Sequence, residues 1–139
     1  MPYATAQDMV AAFGHAEIRD LTDNGEPRLN DINQAVLAKA LADASGMIDG
    51  YLVGRYKLPM ATPPQVLGLH CRGIARYLLM TNQPDERAKS DFAAAMQYLQ
   101  RVASGAIGLL PPADAGQVPA GIGPVVFETG QKVFAREDL

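Results

Sequence analysis

Residues 31–56, DINQAVLAKALADASGMIDGYLVGRY, decide the fold of this chain. The stretch contains no proline, and the positions expected to face the core recur at spacings of four, three, four, three and four residues. These positions are Leu37, Leu41, Ala44, Ile48, Tyr51 and Arg55. Because an α-helix repeats every 3.6 residues, they share one face, and the stretch predicts a long amphipathic helix capped by Asn30 or Asp31.

Three glycines, Gly46, Gly50 and Gly54, lie inside this helical pattern. Each costs about 1 kcal/mol relative to alanine in a helix interior. Two explanations are open: another helix packs closely against the glycines, or the glycines mark fraying or a kink.

Two further long helices are predicted after the first. Leu58-Pro59 ends the first long helix, and Thr62-Pro63-Pro64 offers an N-cap and a proline in the first turn of the second. The inner stripe of that helix is Leu67, Cys71, Ile74 and Leu78. The last helix covers about residues 85–104, with Asn82 as a polar cap, carboxylates in its first turn, and Gly105 as its stop. Nearer the N-terminus, Thr5 followed three residues later by Asp8 is a capping signature, which predicts a short helix over about residues 6–13 that Gly14 ends. One or two more helical turns are predicted over 15–21.

Alanine, glycine and proline divide the chain into two parts. Of 22 alanines only five lie beyond residue 104, whereas residues 105–139 hold 10 glycines and prolines in 35 positions. Alanine favours helices and the other two interrupt them, so a helical bundle is predicted over 1–104 and an extended tail over 105–139. Within the tail, residues 125–127 and 132–134 are candidate strands of a short β-hairpin. The predicted fold is all-α: a small antiparallel bundle of three main helices plus one or two short N-terminal helices, with this tail attached.

The overall composition argues against several classes of protein. The 139 residues carry a formal net charge of −3, whereas a dedicated nucleic-acid binder needs a basic surface. The single cysteine, Cys71, excludes an internal disulfide framework and a multi-thiolate metal site. No basic N-terminal region precedes an apolar run and no stretch approaches about 18 apolar residues, so we expect an intracellular protein without a membrane span.

The residue pattern indicates no catalytic or metal site. His15 and His70 are the only histidines, and they lie on different predicted helices without an acidic pair at ligand spacing. His70 adjoins Cys71, but neighbouring helical side chains point about 100° apart, which disfavours a shared ion or a Cys-His nucleophile. The sequence therefore predicts a protein that is not an enzyme and has no cofactor.

One part of the chain is locally basic. It contains Arg72, Arg76, Arg87, Lys89 and Arg101, spread over two predicted helices. A nucleic-acid contact is one interpretation, but Asp85, Glu86 and Asp91 intervene. Salt bridges within the bundle or between subunits are the favoured interpretation.

The tail is too apolar for a solvated linker, and its side chains require burial. They either fold back on their own bundle or add to a neighbouring protein by strand or pocket insertion. The candidate protein-interaction residues are Phe127, Val133, Phe134, Arg136 and Leu139 in the tail, with Arg55, Arg72 and Arg76 in the bundle.

Short motifs follow one another along nearly the whole chain. They are Tyr3-Ala4-Thr5, Asp8-Met9, Phe13-Gly14, Leu21-Thr22-Asp23, the run 40–45, the run 48–52, Arg55-Tyr56, Leu58-Pro59, the run 61–64, the run 71–78 and the terminal run 133–139. In this order they resemble the Mu-like phage family of head completion or neck proteins.

The resemblance implies a structural virion protein, a head-to-tail adaptor that assembles during head completion as a ring of about 12 copies beneath the portal. Its implied partners are its own copies, the portal protein, and a tail-ward neck, stopper or tail terminator protein. DNA passes through without specific binding, and no membrane takes part. The implied location is the virion neck, and the host cytoplasm during assembly. No catalytic residues come with the resemblance. The alternative is a small cytosolic helical regulatory or DNA-binding protein.

Overall fold

The computed structural model describes residues 2–109, which contain five α-helices. They are α1 (Ala6–Phe13), α2 (His15–Thr22), α3 (Gln34–Leu52), α4 (Gln65–Leu79) and α5 (Glu86–Ser104). Residues 2–109 include no strand, and the all-α prediction is confirmed. The predicted β-hairpin lies outside the described residues, as does the tail beyond residue 109. None of the described helices is long and apolar enough to cross a bilayer.

A capping box starts α1, where the sequence predicts it. The Thr5 side chain accepts a hydrogen bond from the Asp8 backbone N–H at 3.1 Å, and the Asp8 carboxylate accepts one from the Thr5 N–H at 2.9 Å. Gly14 then separates α1 from α2 with a φ of 93°, a conformation that favours glycine.

Helix α3 begins later than predicted. Its N-cap is Asn33, whose side chain accepts hydrogen bonds from the backbone N–H groups of Ala35 and Val36. The predicted caps, Asn30 and Asp31, lie in the preceding loop, so this part of the prediction is wrong.

Side chains at the end of α2 explain the late start of α3. The Asp23 carboxylate accepts hydrogen bonds from the N–H groups of Leu29 at 2.7 Å and Asn30 at 2.9 Å. The Thr22 hydroxyl accepts one from the Asn33 N–H at 3.0 Å. Both Thr22 and Asp23 are buried. These contacts satisfy loop N–H groups in a non-helical conformation and hold the loop against α2.

The three glycines of the predicted first long helix, of which Gly54 lies beyond the end of α3, do not mark a close helix contact. A Cβ atom placed on Gly46, Gly50 or Gly54 would meet no atom within 4 Å among the described residues. All three lie on the exposed side of the chain. Of the two explanations, close packing by another described helix is therefore wrong. The helix ends at Leu52, whose carbonyl accepts hydrogen bonds from the N–H groups of Arg55 and Tyr56, both at 2.9 Å.

The starts of the last two helices differ from the predicted caps. Helix α4 follows Pro64, which makes no side-chain cap, so Thr62 does not cap it. Asp85, not Asn82, caps α5, and its carboxylate accepts a hydrogen bond from the Ala88 N–H at 2.7 Å. Gly105 ends α5 in the left-handed conformation, as predicted.

Helices α3, α4 and α5 pack on one another and form the core, while α1 packs against α3 and α4, and α2 against α1 and α3. The inner stripe predicted for α4 is largely confirmed, with Leu67, Cys71 and Ile74 fully buried and Leu78 partly buried. From α3 and α5 the fully buried side chains are Leu37, Ala44, Ile48, Leu52, Ala95, Leu99 and Val102. A core of this kind supplies most of the stability of a small helical bundle.

The first residues of the predicted tail fold back on the bundle. Ile107 and Leu109 pack against the core, and the Leu109 backbone N–H donates to the Tyr56 hydroxyl at 2.9 Å. Tyr56 itself is buried. The sequence left open whether the tail folds back on its own bundle or adds to a neighbouring protein. For residues 105–109, the first interpretation is therefore correct.

Candidate interaction surface

An open apolar groove of about 1070 Å³ lies along the start of α4. One wall comes from the N-terminal segment and α3, the other from the loop 58–64 and the first two turns of α4. The lining residues are Pro2, Tyr3, Asp8, Asp49, Leu58, Pro59, Met60, Ala61, Pro63, Pro64, Gln65, Val66, Gly68, Leu69 and Arg72. We call this surface the groove.

Two hydrogen bonds fix the N-terminal wall of the groove. The Tyr3 backbone N–H donates to the Ser45 hydroxyl at 3.0 Å, and the Tyr3 hydroxyl donates to the Asp49 carboxylate. Burial, followed by the contact with Asp49, raises the pKa of Tyr3, so the ring stays neutral and remains a donor. The wall is therefore held in place by α3 before any ligand arrives.

The other side of the groove is dominated by Leu69, whose residue surface is 54% exposed. Its neighbour Arg72 lines both the groove and a second depression of about 390 Å³ on the far side of Leu69. The second depression also includes Phe13, His70 and Asp91. An exposed leucine between two concave surfaces is suited to contact with an apolar segment of another molecule or of the tail.

The sequence-based prediction missed the groove, although the position of Leu69 on α4 could have indicated it. The inner stripe of α4 runs through Leu67, Cys71 and Ile74, and Leu69 is rotated about 200° from Leu67 on the helix. An apolar residue on the outer side of a helix is therefore visible from periodicity alone. The opposite wall was not predictable, because it depends on Tyr3 meeting Asp49, 46 residues away.

The three bundle arginines predicted as interaction residues have different environments. Arg76 is only 5% exposed and pairs with Glu17 at 2.5 Å and Asp85 at 3.1 Å, so it belongs to the interior of the fold and offers no exposed surface. Arg55 is half-buried against Gly105. Arg72 lies at the groove. The structure therefore does not bring the three together.

The predicted interaction residues of the tail, Phe127, Val133, Phe134, Arg136 and Leu139, lie outside the described residues. Their interaction role stays a prediction.

Salt bridges within the bundle account for most of the local basic region. Besides Arg76, Arg87 pairs with Asp91 at 3.7 Å and Lys89 with Glu86 at 3.6 Å. The predicted intramolecular pairing is confirmed for these three side chains. Their neutralisation removes most of the positive charge that a nucleic-acid contact would use.

The histidines and the cysteine do not converge. His15 is exposed and lies 3.2 Å from Asp31, whereas the His70 ring packs against the Tyr98 ring in a tilted arrangement, with ring centroids 4.7 Å apart. Cys71 is buried, and burial raises the pKa of its thiol, which keeps it protonated. Within residues 2–109, no three His, Cys, Asp or Glu side chains are placed to hold a metal ion.

We expect His70 to make the protein less stable in mild acid. Burial lowers the pKa of His70 below its ordinary value of 6.5. The unfolded chain then binds a proton at a higher pH than the folded chain does, so stability is lost as the pH falls below about 6.5. Urea unfolding at pH values on either side of 6.5 measures this loss, and His70→Gln should reduce it.

His15→Gln is the matched control, because it makes the same substitution at an exposed histidine and leaves His70 in place. Equal pH dependence in His70→Gln and in the wild type would contradict the assignment to His70.

Comparison with known proteins places residues 3–127 within the family described as Bacteriophage Mu, Gp36. The chain is 46% identical over 83 residues to the Mu-like prophage FluMu protein gp36 of Haemophilus influenzae. That match covers 60% of this chain and 59% of the Haemophilus protein, less than two thirds of its length. The chain is also 30% identical over 141 residues to Gene product J of Escherichia phage Mu, across 99% of this chain and 96% of that protein.

Proposed function

Since this chain belongs to the bacteriophage Mu Gp36 family and is a phage or prophage protein, we propose that it is the head-to-tail adaptor of the virion. In this role, copies of the chain form a ring of about a dozen subunits beneath the portal. The ring connects the portal protein to the next tail-ward protein and acts without catalysis.

The observation that carries this proposal is the combination of a rigid helical body with an exposed apolar groove and an apolar tail. An adaptor needs one surface for its own copies and others for the proteins above and below it. The groove provides an exposed apolar surface on the body, and the tail adds eleven isoleucine, leucine, valine and phenylalanine side chains beyond the last helix. Contiguous apolar surfaces of this kind are typical of protein–protein contacts.

The charge of the chain also suits a ring through which DNA passes. The formal net charge is −3, and like charge disfavours contacts with the phosphate backbone. The intramolecular ion pairs of Arg76, Arg87 and Lys89 act in the same direction. These observations favour the adaptor over a DNA-binding regulator.

Electron microscopy of particles made without this gene tests the proposal. We expect heads that lack tails, together with free tails, and restoration of complete virions when the full chain is supplied. Tailed, normal virions in the absence of the gene would overturn the proposal, as would the loss of heads altogether.

A second complementation, with a chain that ends at residue 109, tests the part assigned to the tail. We expect this chain to fold, because the described helices and Leu109 remain, and to fail to restore virions. Infectious particles from the shortened chain would refute a connecting role of the tail.

A further inference from the structure

The groove has the size and shape of a site for an extended peptide. Its volume of about 1070 Å³ lies at the upper end of the range of about 300–1,000 Å³ found for small-molecule pockets. It is open along one side, and its walls present proline, leucine and valine side chains with few polar groups. The polar side chains are Tyr3, Asp8 and Asp49 on one wall and Gln65 and Arg72 on the other.

The last described residue is attached two residues in sequence from the lining of the groove. Leu109 is bound to the Tyr56 hydroxyl, and Leu58, two residues after Tyr56, lines the groove. Thirty residues, 110–139, follow Leu109. The segment with these apolar side chains therefore follows an attachment point on Tyr56, which lies two residues in sequence from the lining of the groove.

The sequence of the tail contains a segment that matches the groove. Residues 125–134, VVFETGQKVF, have apolar residues at both ends and polar residues between them. The inner part includes Glu128 and Lys132, which offer both charge signs to a groove that presents Arg72 on one wall and Asp8 with Asp49 on the other. Such rim pairs contribute to orientation more than to affinity.

The spacer before this segment favours a neighbouring copy over the chain's own groove. Residues 110–124 include four prolines, which favour extended backbone. At up to about 3.3 Å per residue, 15 residues span roughly 50 Å. The chain's own groove begins two residues from the Tyr56 contact, so a spacer of this length suits a more distant target.

We propose that residues 125–134 of one copy dock in the groove of a neighbouring copy. This inference rests on the proposed function and deepens it. If the tail of each copy binds the groove of the next copy, the contacts join the subunits into a ring. It requires only this chain, so its test in solution is separate from the particle experiment. If the tail docks in solution but the gene deletion still gives normal virions, the contact between copies is supported and the proposed role in the neck is refuted.

Sedimentation velocity of two complementary variants tests the exchange. Leu69→Asp alters the groove and leaves the tail intact, whereas the double variant Val133→Asp, Phe134→Asp alters the tail and leaves the groove intact. We expect the wild type to self-associate and each variant alone to bind itself at least 10-fold more weakly. Their mixture should form a heterodimer, because it pairs one intact groove with one intact tail.

Leu29→Asp is the matched control, because Leu29 is 56% exposed, close to the 54% of Leu69, and does not line the groove. It should self-associate as the wild type does, and circular dichroism should show native helix content in every variant. A monomeric wild type, undiminished self-association of either variant, or a mixture that stays monomeric would overturn the proposal. The first outcome would indicate that each tail occupies its own groove or binds a different protein.

Discussion

Replacement of Arg76 by alanine should lower the free energy of unfolding by about 2 kcal/mol, because it removes a buried side chain and the cation that two partly exposed carboxylates share. The Arg76 side chain is only 6% exposed and contacts Glu17 of α2 and Asp85 at the start of α5. Its guanidinium also lies 5.1 Å from the centre of the Phe13 ring in α1. Arg76 of α4 thus contacts both short helices, α1 and α2, and the start of α5.

The electrostatic environment explains why the loss should be large. Burial alone would lower the pKa of Arg76, but the hydrogen bond and charge of Glu17, with those of Asp85, raise it overall. Asp85 has a lowered pKa because it accepts a hydrogen bond from Ala88 N–H and faces the Arg76 charge. Without Arg76, both carboxylates lose their counter-charge and rely on water, and the packing of the Arg76 side chain beside Phe13 and Glu17 is lost.

Arg87→Ala provides the comparison for Arg76→Ala. Arg87 pairs with Asp91 at 3.7 Å, four residues along α5, and its side chain is 72% exposed. Exposed pairs of this kind contribute about 0.3–0.5 kcal/mol. Urea unfolding of the two variants should therefore differ by several-fold in the lost free energy. Similar small losses for both would show that the Arg76 network does not stabilise the fold in solution.

The sequence predicted the helices well because their signals are local. Periodic apolar positions, Thr5 with Asp8, and Gly105 each act within a few residues, and the structure contains the corresponding helix, capping box and helix end. The buried position of Arg76 has no such local signal. Arg72 and Arg76 are one turn apart and look equivalent, and only the approach of Glu17, 59 residues away, distinguishes them.

The incorrect helix starts have the same physical origin. Asn30 and Asp31 are good N-cap residues by propensity, but Thr22 and Asp23 accept hydrogen bonds from the loop before α3 and delay its first turn to Gln34. The groove likewise depends on a contact across the fold, between Tyr3 and Asp49. The apolar composition of the tail indicates that its side chains need a partner surface. It could not indicate where that surface lies.

Replacement of Tyr56 by alanine is the second change with a large expected effect, about 4 kcal/mol in the free energy of unfolding. Tyr56 is 1% exposed, and its ring packs in the core beside the end of α3. Its hydroxyl also accepts the hydrogen bond from the Leu109 backbone N–H. The substitution should therefore both open a cavity and release residues 105–109 from the bundle.

Tyr56→Phe separates these two effects, because it keeps the ring and removes only the hydroxyl. We expect a loss of about 1 kcal/mol, and faster hydrogen exchange at the Leu109 amide than in the wild type. Exchange at Leu109 that is equally fast in both proteins would contradict the docking of residues 105–109.

If docking holds, Tyr56 fixes the point at which the tail leaves the body, and a tail released from that point should reach a neighbouring groove less efficiently. Tyr56→Phe should then weaken self-association while Leu69 and the tail segment remain intact, which links the stability of this contact to the assembly of copies.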